Sequence, residues 1–291
     1  MTTTTDQCLY LDDGRRLAWS ECGTPNGRPV IWFHGSPGSR LDAAPDGLSS
    51  GPLSAAGIRL IAADRPGYGG STRLAGHSLD VVADDTCTLA DALGIDRFAV
   101  IGWSGGASAA LATAARLPSR VTAVGVLAGV APPRLAPHAR LAEQDLLALA
   151  EDDPAALLAT LGELAALMRV DPAAAASEML GAHLSPPDLA MVTEPAFAAS
   201  MARSLAEAAA RDLTGYADDL QILGRDWPFD LTDIRQPVIV VHGNADLIVP
   251  IDHGRAIADS CPDAALRETD DGHLSVVMHA VDLATTLQPQ P

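Results

Sequence analysis

The 291-residue chain has few basic residues, few cysteines and no long apolar run. Its 19 lysine and arginine residues are outnumbered by 37 aspartates and glutamates, which gives a formal net charge of −18. This charge argues against a nucleic-acid or anionic-membrane partner, because both need a basic face. No stretch approaches the ~18 consecutive apolar residues of a membrane helix. We also expect no secretory signal, because the first residues form neither a basic nor an apolar region.

The cysteines are too scattered to form a structural site. They stand at positions 8, 22, 87 and 261, with no C-x-x-C spacing. This pattern excludes a zinc ribbon and gives no disulfide framework, so we expect reduced thiols and a cytoplasmic protein. No spacing implies a metal or an organic cofactor. Because hydrophobic residues make up 48% of the chain and charged residues 19%, a compact globular protein is expected.

Short apolar runs separated by helical patterns predict an α/β fold. A hairpin is expected within residues 8–20, and a helix from Ser78 to Leu93. The alternation of strands and helices implies a mostly parallel central sheet with helices on both faces. The buried strands are predicted at Val30–Phe33, Leu60–Ala63, Phe98–Ile101, Val121–Leu127 and Val238–Val241.

Residues 131–224 interrupt this alternation, since they contain Ala/Leu-rich helical segments separated by prolines and no strand-like run. We predict an all-helical cap, or lid, between strands 6 and 7, on a core domain formed by residues 1–130 and 225–291. Four methionines in the cap are candidate substrate contacts, because methionine adapts to varied apolar ligands, although core filling is its commoner role. They are Met168, Met179, Met191 and Met201. The last residues, 288–291, are predicted to fray.

The segment Gly102–Gly106 has the pattern G-x-S-x-G. It follows the apolar run 97–101 and precedes the helical run 107–116. A strand that turns sharply into a helix holds the serine outward at the edge of a sheet, and the flanking glycines let the two elements approach closely. Ser104 is therefore the candidate nucleophile. The alternative for such a pattern is an ordinary glycine-rich turn.

A serine nucleophile needs a base and an acid that orients the base. In sheets of this layout the chain order is serine, acid, histidine. Asp246 follows the strand 238–241, and His273 follows a candidate strand at 264–268, so both should meet Ser104 at the carboxyl edge of the sheet. Asp252 is a weaker acid because it is expected to begin a helix, and the aspartates directly before His273 are too close to orient it.

Two N–H donors are needed for the oxyanion of a tetrahedral intermediate. One is the amide of Gly105, and the other should come from the loop His34–Gly38. Pro37 has no N–H and cannot donate. The amide of Ser36 is therefore the first choice in this loop, and the amides of Gly35 and Gly38 are the alternatives. Trp103, directly before the nucleophile, is a candidate substrate contact.

Together these motifs resemble the α/β-hydrolase superfamily over nearly the whole chain. The resemblance implies a triad of Ser104, Asp246 and His273, an oxyanion hole at Ser36 and Gly105, and a cap formed by the helical insertion. The matching segments are His34–Gly38, Asp64–Ser71, Gly102–Gly106, His242–Asp246 with Val249–Pro250, and Gly272–His273.

The resemblance also narrows the chemistry. It implies a structural role for the loop Asp64–Ser71. Haloalkane dehalogenases and epoxide hydrolases carry aspartate at the elbow, so Ser104 argues against those activities. Trp103-Ser104-Gly105 also differs from the His-Ser-Met and His-Ser-Leu elbows of many esterases and thioesterases, so no subgroup is assigned.

The favoured function is a cofactor-free serine hydrolase. It would cleave a carboxylic ester, thioester or lactone of a small apolar molecule through an acyl-enzyme on Ser104. One alternative uses the same triad for lyase, cyclising or carbon–carbon cleaving chemistry on a bulky apolar substrate. The other is a catalytically weak ligand-binding module. The sequence sets no oligomeric state.

Overall fold

The structure, a computed structural model, describes residues 4–43 and 50–287. The predicted frayed tail at 288–291 and the first three residues lie outside this part of the chain. The strands in the described residues are β1 (Thr4–Tyr10), β2 (Arg16–Gly23), β3 (Arg28–Phe33), β4 (Ile58–Ala63), β5 (Phe98–Trp103), β6 (Val121–Leu127), β7 (Val238–Gly243) and β8 (Ala264–Thr269).

These strands form one eight-stranded sheet in the order β1-β2-β4-β3-β5-β6-β7-β8. β1 and β2 form the predicted hairpin, β2 pairs antiparallel with β4, and every pairing from β4 through β8 is parallel. The carboxyl ends of the parallel strands therefore meet at one edge of the sheet.

Helices from the core domain cover both faces of this sheet. They are α1 (Ser50–Ala55), α2 (Leu79–Ala92), α3 (Gly106–Arg116), α10 (Ile251–Ser260) and α11 (Ala280–Thr286). Successive residues of a strand point to opposite faces. In β3, Val30 and Trp32 join the apolar cluster that includes α1 and α11, whereas Ile31 and Phe33 join the cluster that includes α2 and α3. Burial on both faces explains the uninterrupted apolar run of β3.

The segment between β6 and β7 is helical. It contains α4 (Gln144–Asp152), α5 (Pro154–Val170), α6 (Pro172–Leu180), α7 (Pro186–Val192), α8 (Pro195–Ala208) and α9 (Thr214–Leu223). Four of these helices begin with proline, which fits the first helical position because no intrahelical partner is needed for its missing N–H. The cap has an apolar core of its own, which includes Leu157, Leu161 and Leu205.

The predicted fold class is confirmed: an α/β fold with a mostly parallel sheet and a helical cap between β6 and β7. The boundaries at 131 and 224 stay predictions, since the first cap helix begins at Gln144 and the last ends at Leu223. Among the described residues, no helix has the length and apolar character required to span a membrane.

Candidate active site

A sharp turn joins β5 to α3 and carries Ser104. Its φ is 56°, in the left-handed region that residues other than glycine seldom adopt. A Cβ at Gly102 would lie 2.6 Å from the Ala107 Cα, and one at Gly106 would collide with the backbone of Phe33. Only glycine fits at both positions, so strand and helix approach closely and Ser104 stands at the carboxyl edge of the sheet.

Three side chains at this edge form a continuous line of hydrogen bonds. Ser104 Oγ lies 3.0 Å from His273 Nε2, and His273 Nδ1 lies 2.8 Å from Asp246 Oδ2. Asp246 follows β7 and His273 follows β8. Because these strands are parallel, both residues lie at the same edge of the sheet as the serine. All three residues are buried. The structure therefore brings the predicted nucleophile, base and acid within hydrogen-bonding reach, in the order that lets an imidazole take a hydroxyl proton.

The environment of Asp246 keeps its carboxyl group ionised. Its Oδ1 accepts hydrogen bonds from the amides of Ile248 and Val249, at 2.9 and 2.8 Å. Burial alone would raise the pKa of Asp246, but the charge of His273 and the hydrogen bonds of His242 and His273 outweigh it and lower that pKa. His242 lies behind the acid, with Nε2 3.4 Å from Asp246 Oδ2.

His273 is fixed through its backbone as well as its ring. Its carbonyl accepts a hydrogen bond from Trp103 Nε1 at 3.2 Å, and its amide donates to Asp188 Oδ2 at 2.9 Å. Burial alone would lower the pKa of His273, but the negative charges of Asp246, Glu143 and Asp188 outweigh it and raise the pKa above the ordinary 6.5. The imidazole is therefore a stronger base than a solvated histidine.

The loop after β3 lies against the elbow. A Cβ at Gly105 would come within 2.9 Å of Ser36 Cβ, so Ser36 is next to the residue that follows the nucleophile. The Gly35 amide donates to Asp42 Oδ2 at 3.2 Å. Because this donor is already engaged, the geometry favours Ser36 over Gly35 as the second oxyanion candidate.

A buried cation holds this loop in place. Arg65 donates to Ser36 Oγ at 2.8 Å and pairs with Asp219 Oδ2 of α9 at 2.6 Å. The same carboxylate oxygen accepts hydrogen bonds from Ser36 Oγ at 2.5 Å and from the Tyr68 hydroxyl at 2.8 Å. The segment 64–71, which the resemblance marked as structural, thus orders the candidate oxyanion loop and links it to the cap.

A cleft between the cap and Ser104 contains about 740 Å³ of empty space, which includes open solvent at its mouth. Two carboxyl groups, those of Asp42 and Glu143, line it. Burial raises the pKa of Asp42 to about 6 and also raises the pKa of Glu143. No arginine or lysine is among the described residues that line the cavity. The rest of the wall is mainly apolar and includes Trp103, Met179, Leu180, Phe197, Met201, Leu205, Ile248, Leu274 and Val277.

The expectation that all four cap methionines contact the substrate is corrected for two of them. Met179, Met201 and Trp103 line the cavity, and their contact with substrate stays a prediction. Met168 is fully buried inside the cap, because it falls on the inward stripe of α5 with leucines and an alanine at helical spacing. Met191 instead packs against the apolar cluster on one face of the sheet. Met168 therefore fills the interior of the cap, whereas Met191 is partly exposed and lies outside the residues that line the cavity.

Sequence reasoning did not find three residues that hold the site together. Arg65 stands in a matching segment for which the resemblance implies a structural role. His242 stands four residues before Asp246, in the same matching segment. Asp188 follows two prolines at the start of α7 and carries no catalytic signal in the sequence, because only the fold brings it to His273.

A family model for the alpha/beta hydrolase fold matches residues 28–280. The chain belongs to this family. Among curated relatives, it is similar to a pimeloyl-[acyl-carrier protein] methyl ester esterase of Aromatoleum aromaticum, 31% identical over 252 residues, which are 81% of this chain and 89% of that protein.

A higher identity occurs over a shorter segment. The chain is 37% identical over 132 residues to a proline iminopeptidase of Xylella fastidiosa, a match that covers 42% of this chain and 38% of that protein. The matched segment thus spans about two fifths of the iminopeptidase.

Solved structures show the same fold at low identity. An enol-lactonase from Burkholderia xenovorans superposes with a TM-score of 0.70 and 20% identity, covering 97% of this chain and 98% of that one. A thermophilic esterase from Thermogutta terrifontis gives a TM-score of 0.67 and 21% identity, covering 98% and 95% of the two chains.

Proposed function

We propose that this protein is a serine hydrolase that cleaves a carboxylic ester, thioester or lactone of a small apolar molecule through an acyl-enzyme on Ser104. The observation that carries the proposal is the line of hydrogen bonds from Ser104 through His273 to Asp246, at the base of a mainly apolar cavity. The relatives add support, because one of them is by name a methyl ester esterase.

In the first half-reaction, His273 Nε2 takes the proton of Ser104 as Oγ attacks the substrate carbonyl carbon. The carbonyl π electrons move to oxygen and form a tetrahedral oxyanion. When the oxyanion collapses, the bond to the leaving alcohol or thiol breaks and His273 gives its proton to that group. Asp246 holds the imidazole in the required tautomer and stabilises the imidazolium that forms.

In the second half-reaction, His273 takes a proton from water, and the resulting hydroxide attacks the acyl carbon. Collapse of the second oxyanion breaks the ester bond to Ser104, which receives its proton back from His273, and the acid is released. The amides of Ser36 and Gly105 are the proposed donors to both oxyanions, and removal of one such donor typically costs about 100- to 1,000-fold in turnover. No cofactor is needed for either step.

The lining of the cavity restricts the substrate class. Apolar side chains form most of the wall, whereas Asp42 and Glu143 bring carboxyl groups with no arginine or lysine among the described lining residues. A carboxylate on the substrate would meet like charges in a poorly hydrated space, which is unfavourable. We therefore propose that the preferred substrate is an ester, thioester or lactone whose acyl group is uncharged.

A panel of p-nitrophenyl esters of graded acyl length tests the proposal, together with intact-mass detection of an acyl adduct. We expect turnover by the natural protein, an adduct of the acyl mass on Ser104, and loss of about a million-fold in turnover in Ser104→Ala. Undiminished hydrolysis by Ser104→Ala would refute the proposed nucleophile. A panel member with a proline amide in place of the ester separates esterase from iminopeptidase activity.

A cytoplasmic location is also proposed. It is supported by the four cysteines, all of which are free in the described residues, as expected for a reducing compartment. Fractionation of the native source with antibodies to the protein tests it.

A further inference from the structure

Asp188 belongs to the cap, yet its side chain contacts the loop that carries His273. Oδ2 accepts a hydrogen bond from the His273 amide at 2.9 Å, and Oδ1 accepts hydrogen bonds from the amides of Leu274 and Ser275, both at 2.9 Å. The carboxylate also accepts hydrogen bonds from the hydroxyls of Ser185 and Ser275, at 3.0 and 3.1 Å. It is fully buried.

Such a carboxylate stays in the interior only because its lone pairs are used. Burial of an ionised group without partners is strongly unfavourable, and five donors on two oxygens offset this cost here. The close approach also requires glycine at position 272, since a Cβ there would collide with Ser185 Oγ and with the Asp188 carboxylate. The contact between α7 and this loop is therefore specific in shape as well as in polarity.

The contact bears directly on the proton acceptor of the proposed reaction. The residue whose amide binds Asp188 is the residue whose Nε2 lies 3.0 Å from Ser104 Oγ. The opposite side of its backbone is held by Trp103 Nε1. Within the described residues, the cap thus supplies one of the two side chains that bond the backbone of His273.

We propose that Asp188 is a positioning residue, which ties helix α7 of the cap to the loop of His273 and so keeps the imidazole within reach of Ser104. The inference rests on the proposed function, because it assigns His273 the role of base. It implies that α7 keeps a fixed position against the loop of His273. Release of α7 from the core would remove this restraint on the histidine.

Asp188 also contributes charge. The carboxyl groups that favour the imidazolium form of His273 are those of Asp246, Glu143 and Asp188, and His242 lies behind Asp246. Neutralisation of Asp188 should therefore lower the pKa of His273. A simple loss of fold stability would not have this effect.

The test is Asp188→Asn, which keeps the shape of the side chain. The amide oxygen of asparagine can still accept the bonds from residues 274 and 275, but its NH₂ group then faces the His273 N–H, donor against donor. We expect kcat for a p-nitrophenyl ester to fall about 10- to 100-fold with KM little changed, as for a small misplacement of a catalytic group. The acidic limb of the kcat/KM profile should move to lower pH.

A second measurement needs no turnover. In the Ser104→Ala background, Asp188→Asn should speed hydrogen exchange of the amides of residues 273–275 by about tenfold or more, since their acceptor is weakened. The matched control is Asp271→Asn, a neighbour on the same loop whose carboxylate pairs with His279 at 2.8 Å and not with the amides of that loop. It should leave kcat, the acidic limb and the exchange of residues 273–275 unchanged.

If Asp188→Asn does not fold, Gly272→Ala replaces it, because the added methyl group separates the loop from Ser185 and Asp188 while all polar groups remain. The same fall in kcat and the same faster exchange are expected. Wild-type kcat and wild-type exchange in whichever variant folds would overturn the proposal. Absence of ester hydrolysis by the natural protein would instead refute the proposed function, and the exchange comparison would still decide whether the tether exists.

Discussion

The indole of Trp103 lies beside the imidazole of His273, with ring centroids 5.9 Å apart and 29° between the planes. Its Nε1 donates a hydrogen bond to the carbonyl of the same histidine at 3.2 Å. The residue before the candidate nucleophile therefore positions the candidate base, although 170 positions separate the two residues. Since Trp103 also lines the cavity, one side chain connects the elbow, the base and the substrate space.

Trp103→Phe separates these roles, because it keeps an aromatic ring and removes the N–H. Loss of one hydrogen bond with a net value of about 1 kcal/mol should lower kcat by about fivefold. Steady-state kinetics with a short p-nitrophenyl ester measure this change. Trp227→Phe is the control, since Trp227 is a buried tryptophan whose Nε1 makes no hydrogen bond within the described part of the chain. Equal kcat for the two variants would contradict the positioning role of Trp103.

The pH dependence of kcat/KM follows from the charges around His273. The imidazole must be neutral to accept the serine proton, and its pKa is raised because the neighbouring carboxylates outweigh the effect of burial. Activity should therefore rise with pH through an acidic limb that lies above 6.5, the ordinary pKa of histidine. Measurement of kcat/KM between about pH 5 and 9 locates the limb.

Asp246→Asn supplies the control for this profile. It removes the charge that raises the pKa of His273, so whatever activity remains should show its acidic limb at lower pH. It should also lower kcat by about 10⁴-fold, as in other serine triads. An acidic limb below 6.5 in the natural protein, or one that stays in place in Asp246→Asn, would mean that His273 is not the titrating base.

Local pattern was enough to predict the strands, the cap and the three residues of the proposed triad. The reason is that G-x-S-x-G between a strand and a helix, and loops after later parallel strands, all lead to one edge of the sheet. The sequence did not reveal Arg65, Asp188 or the interior position of Met168. Each depends on how the cap packs, and helical periodicity does not state which apolar stripe meets which neighbour.

The proposed oxyanion hole can be tested at Gly105. In Gly105→Ala the added methyl group would lie 2.9 Å from Ser36 Cβ and 3.3 Å from Leu223 Cδ1, so the two proposed donors must shift apart. We expect a loss of about 100- to 1,000-fold in kcat, comparable to removal of one oxyanion donor. The measurement is kcat together with the thermal midpoint, which shows that the variant is folded.

Gly162→Ala gives the comparison for this change. Gly162 is in the interior of α5, and a Cβ there meets nothing within 4 Å. Alanine in place of glycine within a helix stabilises by about 0.5–1 kcal/mol, so this variant should melt slightly higher with unchanged kcat. If Gly105→Ala kept full activity, the proposed donors would have to lie elsewhere.

Glu143 should control selection against charged substrates. Burial raises the pKa of this carboxyl group, which lines the cavity beside Ser104 and His273. At pH 8 we expect the natural protein to favour an ester with a neutral acyl chain over one that ends in a carboxylate. A like-charge pair at an effective dielectric constant of about 20 costs on the order of 1–4 kcal/mol, so Glu143→Gln should reduce this preference by about tenfold.

The ratio of kcat/KM for the two esters measures this preference. Glu163→Gln, on the exposed surface of α5, is the control for net charge. An unchanged ratio in Glu143→Gln would contradict this role of Glu143.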